Sequence, residues 1–173
     1  SKIISVEANP NNFKVLEKNI NNNKLNNIVK IFNNVVSSGE SHQPFYLSSN
    51  PGWSSLYNKR GAKNGEVIYL EPISLSKLFQ KSNLAIIDIL KIDIEGAEYD
   101  ILLNDKFLEN YHVKELFVEV DRKPRDERYS YSELISYLRK IYSKVIIKNS
   151  KSEYPLIHCR NQHFSIKNNK NFE

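Results

Sequence analysis

Short apolar segments alternate with amphipathic segments along much of this chain. Residues 3–7 predict a strand that ends in a carboxylate, and residues 28–32 predict the next strand. Between them, Asn9 and Pro10 predict the start of a helix, because Asn is a favoured N-cap and proline at the first helical position loses no hydrogen bond. Strand, helix and strand within about thirty residues have the size of a βαβ unit.

The strongest apolar run covers residues 85–93. A near-continuous run of this kind predicts a central parallel strand that is covered on both faces. Gly96 would allow a sharp turn into a short helix. The remaining predicted elements are helices over 74–80 and 97–103, a helix that begins after a capping box of Ser130 and Glu133, and strands over 113–120, 144–148 and 162–167. This alternation predicts an α/β fold built on a mostly parallel sheet.

The domain organisation follows from length and from the glycine and proline positions. A chain of 173 residues predicts a single domain over residues 1–173, since domains average roughly 150 residues. Glycines and prolines divide residues 36–70 into short extended pieces, which predicts a β-rich insertion. The Asn-rich residues 168–173 are expected to be a frayed tail.

Composition excludes several classes of protein. One cysteine cannot form an internal disulfide or a cysteine-based zinc site. The net charge of +5 comes from lysines that are spread among acids, which argues against a nucleic-acid partner. No apolar run approaches the roughly 20 residues that span a bilayer, and no signal peptide is recognisable, so we expect a cytoplasmic protein without a membrane partner. The absence of methionine suggests a segment of a longer chain.

Candidate functional residues are those that end the predicted strands, because ligands of open α/β sheets bind at the carboxyl ends of strands. Glu7 could accept from both hydroxyls of a ribose, or could simply cap the following helix; the sequence leaves both interpretations open. In the segment around Gly96, strand alternation places Lys91 and Asp93 on one face. Glu95 and Glu98 could share one helix face, near a helix start where acids are favourable. Capping does not explain Lys91 and Asp93, so we favour a functional cluster.

The segment LKIDIEGAE at residues 90–98 is similar to the signature of the FkbM family of S-adenosylmethionine-dependent methyltransferases. VEANP at residues 6–10, WSSL at 53–56, EPISL at 71–75 and LFVEV at 116–120 resemble further family segments in the same order, although Ser76 stands where Asp is usual. The resemblance covers roughly residues 3–147.

The resemblance implies a Rossmann-like class I methyltransferase fold whose last strand is antiparallel. It also implies S-adenosylmethionine as cofactor and methyl transfer to a hydroxyl of a sugar or natural-product substrate, which would be the small-molecule or saccharide partner. The implied cofactor-binding residues are Glu7 at the ribose, with Asn9 beside it, Asn34 and Val35 near the adenine, and Asp93. The implied catalytic residues are Asp93, Glu95, Glu119 and Lys91.

The chemistry of methyl transfer to a hydroxyl requires alignment of the nucleophile and removal of its proton. Asp93 is the first candidate for the base or orienting group, and Glu119 is the second. Clustered carboxylates could instead hold Mg²⁺ or Ca²⁺, but the acids lack tight ligand spacing and we expect no metal. Trp53 and Tyr57 could form a sugar-binding wall or pack the insertion down, and the sequence does not separate these roles.

One family feature has no counterpart in the sequence. The family begins with a strand and a Gly-rich loop, and here the first strand is apparently missing. We therefore expect a gap between the strands at residues 3–6 and 87–92, and poor binding of S-adenosylmethionine by this segment alone. The alternative function is a non-catalytic Rossmann-like interaction module, or a partial domain of a larger protein.

Overall fold

The computed structural model describes residues 2–57, 66–82 and 86–161 of the chain. These residues form a mixed α/β structure. The strands are β1 (Ile3–Val6), β2 (Val29–Phe32), β3 (Val35–Val36), β4 (Gln43–Tyr46), β5 (Val67–Leu70), β6 (Pro72–Ile73), β7 (Ile87–Ile92), β8 (Val113–Glu119), β9 (Lys144–Lys148) and β10 (Leu156–Arg160). The helices are α1 (Pro10–Asn22), α2 (Leu75–Ser82), α3 (Glu98–Asn104), α4 (Phe107–Asn110) and α5 (Tyr131–Ile141).

The largest sheet has the strand order β7-β8-β10-β9. Strand β7 is parallel to β8, whereas β10 is antiparallel to both β8 and β9. Strands β7, β8 and β9 therefore run in one direction and β10 runs opposite to them, so the sheet is mixed, with one parallel and two antiparallel pairings among the described residues. The strand predicted over residues 162–167 lies outside the described residues, and so does the predicted tail. The antiparallel strand that the structure describes is β10, which the sequence analysis did not predict.

Two expectations about the sheet are wrong for the described residues. Strand β7 lies at the edge of its sheet instead of the centre, and Ile89 in its middle is 66% exposed. Strands β1 and β2 pair in parallel with each other and form a separate two-stranded sheet. An apolar run indicates that the faces of a strand are to be covered, but it does not specify whether both of its edges are paired. Among the described residues β1 and β7 are not paired with each other.

The described residues of the predicted insertion, 36–57 and 66–70, contain short strands. Strands β4 and β5 form an antiparallel pair, and β3 pairs in parallel with β6. A 3-10 turn at Pro51–Trp53 precedes Ser55, whose backbone bridges to Tyr46. Residues 58–65 of the predicted insertion are outside the described part of the chain. This region brings Ser54 and Leu56 to the ends of β1 and β7, as described below.

The main core lies between the four-stranded sheet and the helices α3 and α5. Leu116 and Cys159 from the sheet, and Leu134 and Leu138 from α5, have no exposed surface. Strands β7 to β10 contribute alternate side chains to the face of the sheet that packs on these helices, as strand periodicity requires. Cys159 lies on β10 opposite Leu116 of one neighbour and Val145 of the other. The sheet that carries the carboxyl end of β7 is therefore firmly packed on one face.

Both predicted helix caps are present. The side chain of Asn9 accepts a hydrogen bond from the backbone N–H of Asn11 at 2.9 Å, and Pro10 is the first residue of α1. The hydroxyl of Ser130 accepts from the N–H of Glu133 at the start of α5. Caps of this kind satisfy backbone donors that have no partner inside the helix. The first cap fixes the turn that follows Glu7.

Candidate functional site

The carboxyl ends of β1 and β7 face one cavity of about 290 Å³. Glu7 follows β1, and Asp93 and Glu95 follow β7. Asn34 and Val35, at the start of β3, form another part of the wall. The insertion contributes Ser54 and Leu56. The cavity thus joins segments that are distant along the chain, at the edge of the sheets where α/β proteins bind ligands.

The structure brings together five of the eight predicted site residues. Glu7, Asn34, Val35, Asp93 and Glu95 line the cavity. The predicted residues Asn9, Lys91 and Glu119 lie outside this lining. Asn9 is buried as the cap of α1, and its amide nitrogen donates to the hydroxyl of Ser54 at 3.3 Å. Glu119 is exposed at the end of β8. The sequence therefore predicted the cavity from its strand-end acids, but it did not separate lining residues from their supports.

Glu7 stabilises the turn into α1, and its side chain also lies at the cavity. Its Oε1 accepts the backbone N–H of Asn9 at 2.8 Å, so the carboxylate does help to order the turn into α1. The same side chain lines the cavity. The side chain of Asn33 donates to the backbone carbonyl of Glu7 at 2.8 Å and ties the ends of β1 and β2 together. The N–H of Asn9 therefore holds the carboxylate and the side chain of Asn33 holds the backbone of Glu7 at the cavity wall.

Asn34 and Val35 are fixed by the backbone of residues 71–72. Val35 is 4% exposed and pairs with Pro72 of β6. The side-chain amide of Asn34 donates to the carbonyl of Glu71 at 3.1 Å. Both residues are thus positioned by the β3–β6 pair, and their backbone forms an ordered edge of the cavity.

Lys91 and Asp93 lie on one face, as strand alternation predicted. The ammonium of Lys91 donates to Oδ2 of Asp93 at 2.8 Å. The two side chains are 67% and 40% exposed, so this ion pair contributes little to stability. Its effect is local, because it orients one oxygen of a carboxylate at the cavity.

The turn after β7 has an unusual backbone. Glu95 has a φ of 60° and Gly96 a φ of 111°, and helix α3 begins only at Glu98. The prediction that Glu95 and Glu98 share a helix face is therefore wrong. Glu95 points from the turn to the cavity, whereas Glu98 is 2% exposed and turns inward. Gly96 provides the sharp turn that the sequence predicted, because a positive φ is easily adopted by glycine.

Glu98 closes this turn from inside the protein. Its carboxylate accepts the backbone N–H of Ile94 at 3.0 Å and that of Gly96 at 2.9 Å. Burial raises the pKa of Glu98 to about 7, and the hydrogen bonds from the backbone oppose this rise. The sequence analysis grouped Glu98 with the acids of the cluster, but the structure gives it a supporting position behind the cavity.

Arg125 is a residue near the site that the sequence analysis missed. Its Nε donates to Oδ2 of Asp121 at 2.6 Å, and its Nη2 is 3.8 Å from Oε2 of Glu95. The side chain is 6% exposed, although it comes from a charged segment that looks solvated in the sequence. Only the clustering of Asp121 and Arg125 just after a strand end could have indicated it.

The two aromatic candidates of the insertion lie outside the lining of the cavity. Trp53 is 51% exposed. Tyr57 is half-buried; its burial, and next the charge of Asp100, raise the pKa of its hydroxyl to about 12. Tyr57 donates its backbone N–H to the hydroxyl of Ser55 at 3.1 Å. For Tyr57 these contacts favour packing of the insertion over the alternative of a sugar-binding wall.

Among residues 2–57, 66–82 and 86–161, no group of three or more His, Cys, Asp or Glu side chains could hold a metal ion. Within the same ranges no helix combines the length and the apolar character that a membrane crossing requires.

Comparison with known proteins gives one finding. Residues 1–144 match the family described as the methyltransferase FkbM domain, which covers β1 to the start of β9. Neither the curated proteins nor the solved structures give a significant match.

Proposed function

Because the chain belongs to the FkbM methyltransferase domain family, we propose that its cavity binds the adenosine part of S-adenosylmethionine and that it serves methyl transfer to a hydroxyl of a sugar or natural-product substrate. The observation that carries this proposal is the meeting of Glu7 and Asp93 at one cavity. Each acid ends a different strand, and such strand ends are where α/β sheets hold nucleotides.

The chain's own residues fit an adenosine group. The carboxylate of Glu7 suits a ribose, because it can accept hydrogen bonds from a diol while one oxygen also holds Asn9. Val6, Val35 and Leu56 give the wall apolar surface for a base, and the backbone near Asn34 offers polar groups. A cavity of about 290 Å³ lies at the lower end of ligand pockets, which are roughly 300–1,000 Å³. It suits a nucleoside-sized group.

The strand arrangement supports a Rossmann-like class I fold as part of the proposal. The pair β1–β2 and the sheet β7-β8-β10-β9 meet at the cavity through the ends of β1 and β7. A change of strand order at the ligand is the rule for doubly wound sheets. Helices α1 and α5 follow strands β1 and β8 along the chain, as crossover connections do.

The proposed cofactor supplies an electrophilic methyl group, and the protein supplies orientation and a proton acceptor. Asp93 accepts the proton that the hydroxyl loses. Lys91 holds Oδ2 of Asp93 at 2.8 Å, which orients the carboxylate toward the substrate. Glu95 adds a second negative charge to the same wall, which would favour the positive charge of the cofactor.

The first test measures cofactor binding by nuclear magnetic resonance, as S-adenosylmethionine is titrated into the protein. This method detects binding even when the dissociation constant is in the millimolar range. We expect saturable shifts of the amide signals of Glu7, Val35 and Val36. Glu7→Gln should weaken binding about tenfold or more, because it keeps an acceptor for Asn9 but loses the charged acceptor for the diol.

Glu17→Gln is the matched control for this test, because Glu17 is an exposed carboxylate on α1. It should leave the affinity unchanged. Absence of saturable shifts up to about 10 mM ligand would contradict the proposed function and favour a non-catalytic module.

A second prediction concerns Asp93 in the reaction. Asp93→Asn should lower the rate of methyl transfer about a hundredfold or more, while cofactor affinity changes much less, because the amide cannot accept the proton. The measurement is transfer of labelled methyl groups from S-adenosylmethionine to a panel of saccharides and hydroxylated natural products. Asp88→Asn is the control, since Asp88 lies on the same strand but is 78% exposed and pairs with Lys114. Equal rates for Asp93→Asn and wild type would remove Asp93 from the mechanism.

A further inference from the structure

Arg125 lies where three separate segments of the chain meet. Its Nε donates to Asp121 just after β8, and its Nη1 donates to the hydroxyl of Ser55 in the insertion at 3.2 Å. The hydroxyl of Ser55 in turn donates to the backbone carbonyl of Glu95 at 2.7 Å. One buried guanidinium and one buried hydroxyl therefore connect the end of β8, the insertion and the turn after β7.

The close contact between Arg125 and Gly96 strengthens this connection. A Cβ atom at position 96 would lie 2.6 Å from both Cδ and Nε of Arg125, well inside van der Waals contact. The arginine side chain thus packs directly on the backbone of the turn that presents Glu95. Movement of either partner requires movement of the other.

The remaining nitrogen of Arg125 forms an ion pair with Glu95 but makes no hydrogen bond among the described residues. Nη2 is buried and has no hydrogen-bond partner within the described part of the chain. It lies 3.8 Å from Oε2 of Glu95, a residue of the cavity wall. A buried cation with an unused donor is costly, and apolar residues of similar volume often stabilise a core equally well. Structural stability alone therefore gives little reason for an arginine at this position.

Ser55 links these contacts to the shape of the cavity. Its two sequence neighbours, Ser54 and Leu56, both line the cavity, and Ser55 itself is 1% exposed. Its backbone pairs with Tyr46 through two hydrogen bonds of 2.8 and 3.1 Å. A shift of Ser55 would displace both lining residues, while the Glu95 side of the wall is held by the same arginine.

We propose that Arg125 is a positioning residue for the cavity, which fastens Ser55 and the Glu95–Gly96 turn to the end of β8 and so sets the wall formed by Ser54, Leu56 and Glu95. The identity of the bound ligand rests on the proposed function. The fastening does not, and it can be measured on the ligand-free chain.

The test compares Arg125→Gln and Arg125→Lys with Arg122→Gln. Arg122 is a suitable control, because it belongs to the same loop and donates to the carbonyls of Ser150 and Ser152, away from the cavity. Hydrogen exchange of the Ser55 and Tyr57 amides is measured relative to that of Leu116 in the core. Arg125→Gln should speed exchange at Ser55 and Tyr57 about tenfold relative to Leu116, and Arg125→Lys should restore part of the protection.

The second measurement is the affinity for S-adenosylmethionine in the same variants. Arg125→Gln should weaken it about tenfold, Arg125→Lys less, and Arg122→Gln not at all. If wild type binds no S-adenosylmethionine but local exchange depends on Arg125, the proposed function fails and the positioning role stands. Unchanged exchange at Ser55 and Tyr57 in Arg125→Gln would overturn the positioning role, and so would an equal rise in exchange at Leu116. Unchanged affinity in a variant whose Ser55 and Tyr57 amides exchange faster would also overturn it.

Discussion

Gly96→Ala should destabilise the protein by about 3 kcal/mol. Two effects add at this position. The φ of 111° is rarely adopted by residues with a side chain, and the new Cβ would lie 2.6 Å from Cδ and Nε of Arg125. Because Arg125 is buried and hydrogen-bonded to Asp121 and Ser55, it cannot move away without breaking those bonds. Urea denaturation followed by circular dichroism gives the change in the free energy of unfolding.

Gly52→Ala is the matched control for this substitution. Its Cβ would meet only Asn50 Oδ1, at an ordinary contact distance of 3.7 Å, and its φ is not in the positive region. We expect a change within about 1 kcal/mol there. A similar loss for both variants would show that the turn after β7 tolerates a side chain, and that the contact with Arg125 is not restrictive.

Glu98 should make the stability of the protein depend on pH between about 4.5 and 7. Burial raises the pKa of Glu98 in the folded protein to about 7, from an ordinary value of 4.5. A carboxyl group with a raised pKa binds its proton more tightly when folded. Its favourable contribution is therefore complete below pH 4.5, decreases as the pH rises and is lost above about 7. The linked change in the free energy of unfolding is about 3 kcal/mol.

The measurement is the free energy of unfolding of wild type and Glu98→Gln at a series of pH values across this window. The glutamine carbonyl can still accept the N–H groups of Ile94 and Gly96, as a protonated carboxyl would, but it has no charge to desolvate. The difference between the two proteins should thus change by about 3 kcal/mol from pH 4.5 to 7.5, in favour of the variant at high pH. Glu127→Gln, at an exposed position, should run parallel to wild type. A constant difference for Glu98→Gln would show that its carboxyl ionises normally despite burial.

Local chemistry explains which parts of the fold the sequence predicted. Asn9 and Pro10 predicted the start of α1, because capping depends on neighbouring residues only. Strand alternation was enough to place Lys91 and Asp93 on one face. The strand-end rule brought Glu7 and Asp93 to one cavity for the same reason, since it needs only the direction of two strands.

The predictions that were wrong concern features that depend on contacts between residues that are distant in the sequence. The apolar character of β7 is satisfied by burial of its core face, so it does not reveal that one edge is unpaired within the described residues. Glu98 turns inward because the N–H groups of Ile94 and Gly96 need an acceptor, which becomes evident only when the turn is built. The burial of Arg125 arises from Ser55 and Glu95, and nothing in its charged neighbourhood distinguishes it from a solvated arginine.

Cys159 provides a natural probe for global unfolding of the protein. This sole thiol of the chain is fully buried between two neighbouring strands, and burial raises its pKa to about 12. Alkylating reagents attack the thiolate, so a neutral, inaccessible thiol is inert while the sheet is intact. Labelling at Cys159 therefore proceeds through molecules in which β10 has separated from its neighbours. Its rate measures how often the core opens, without any added probe and without a change to a residue that lines the cavity.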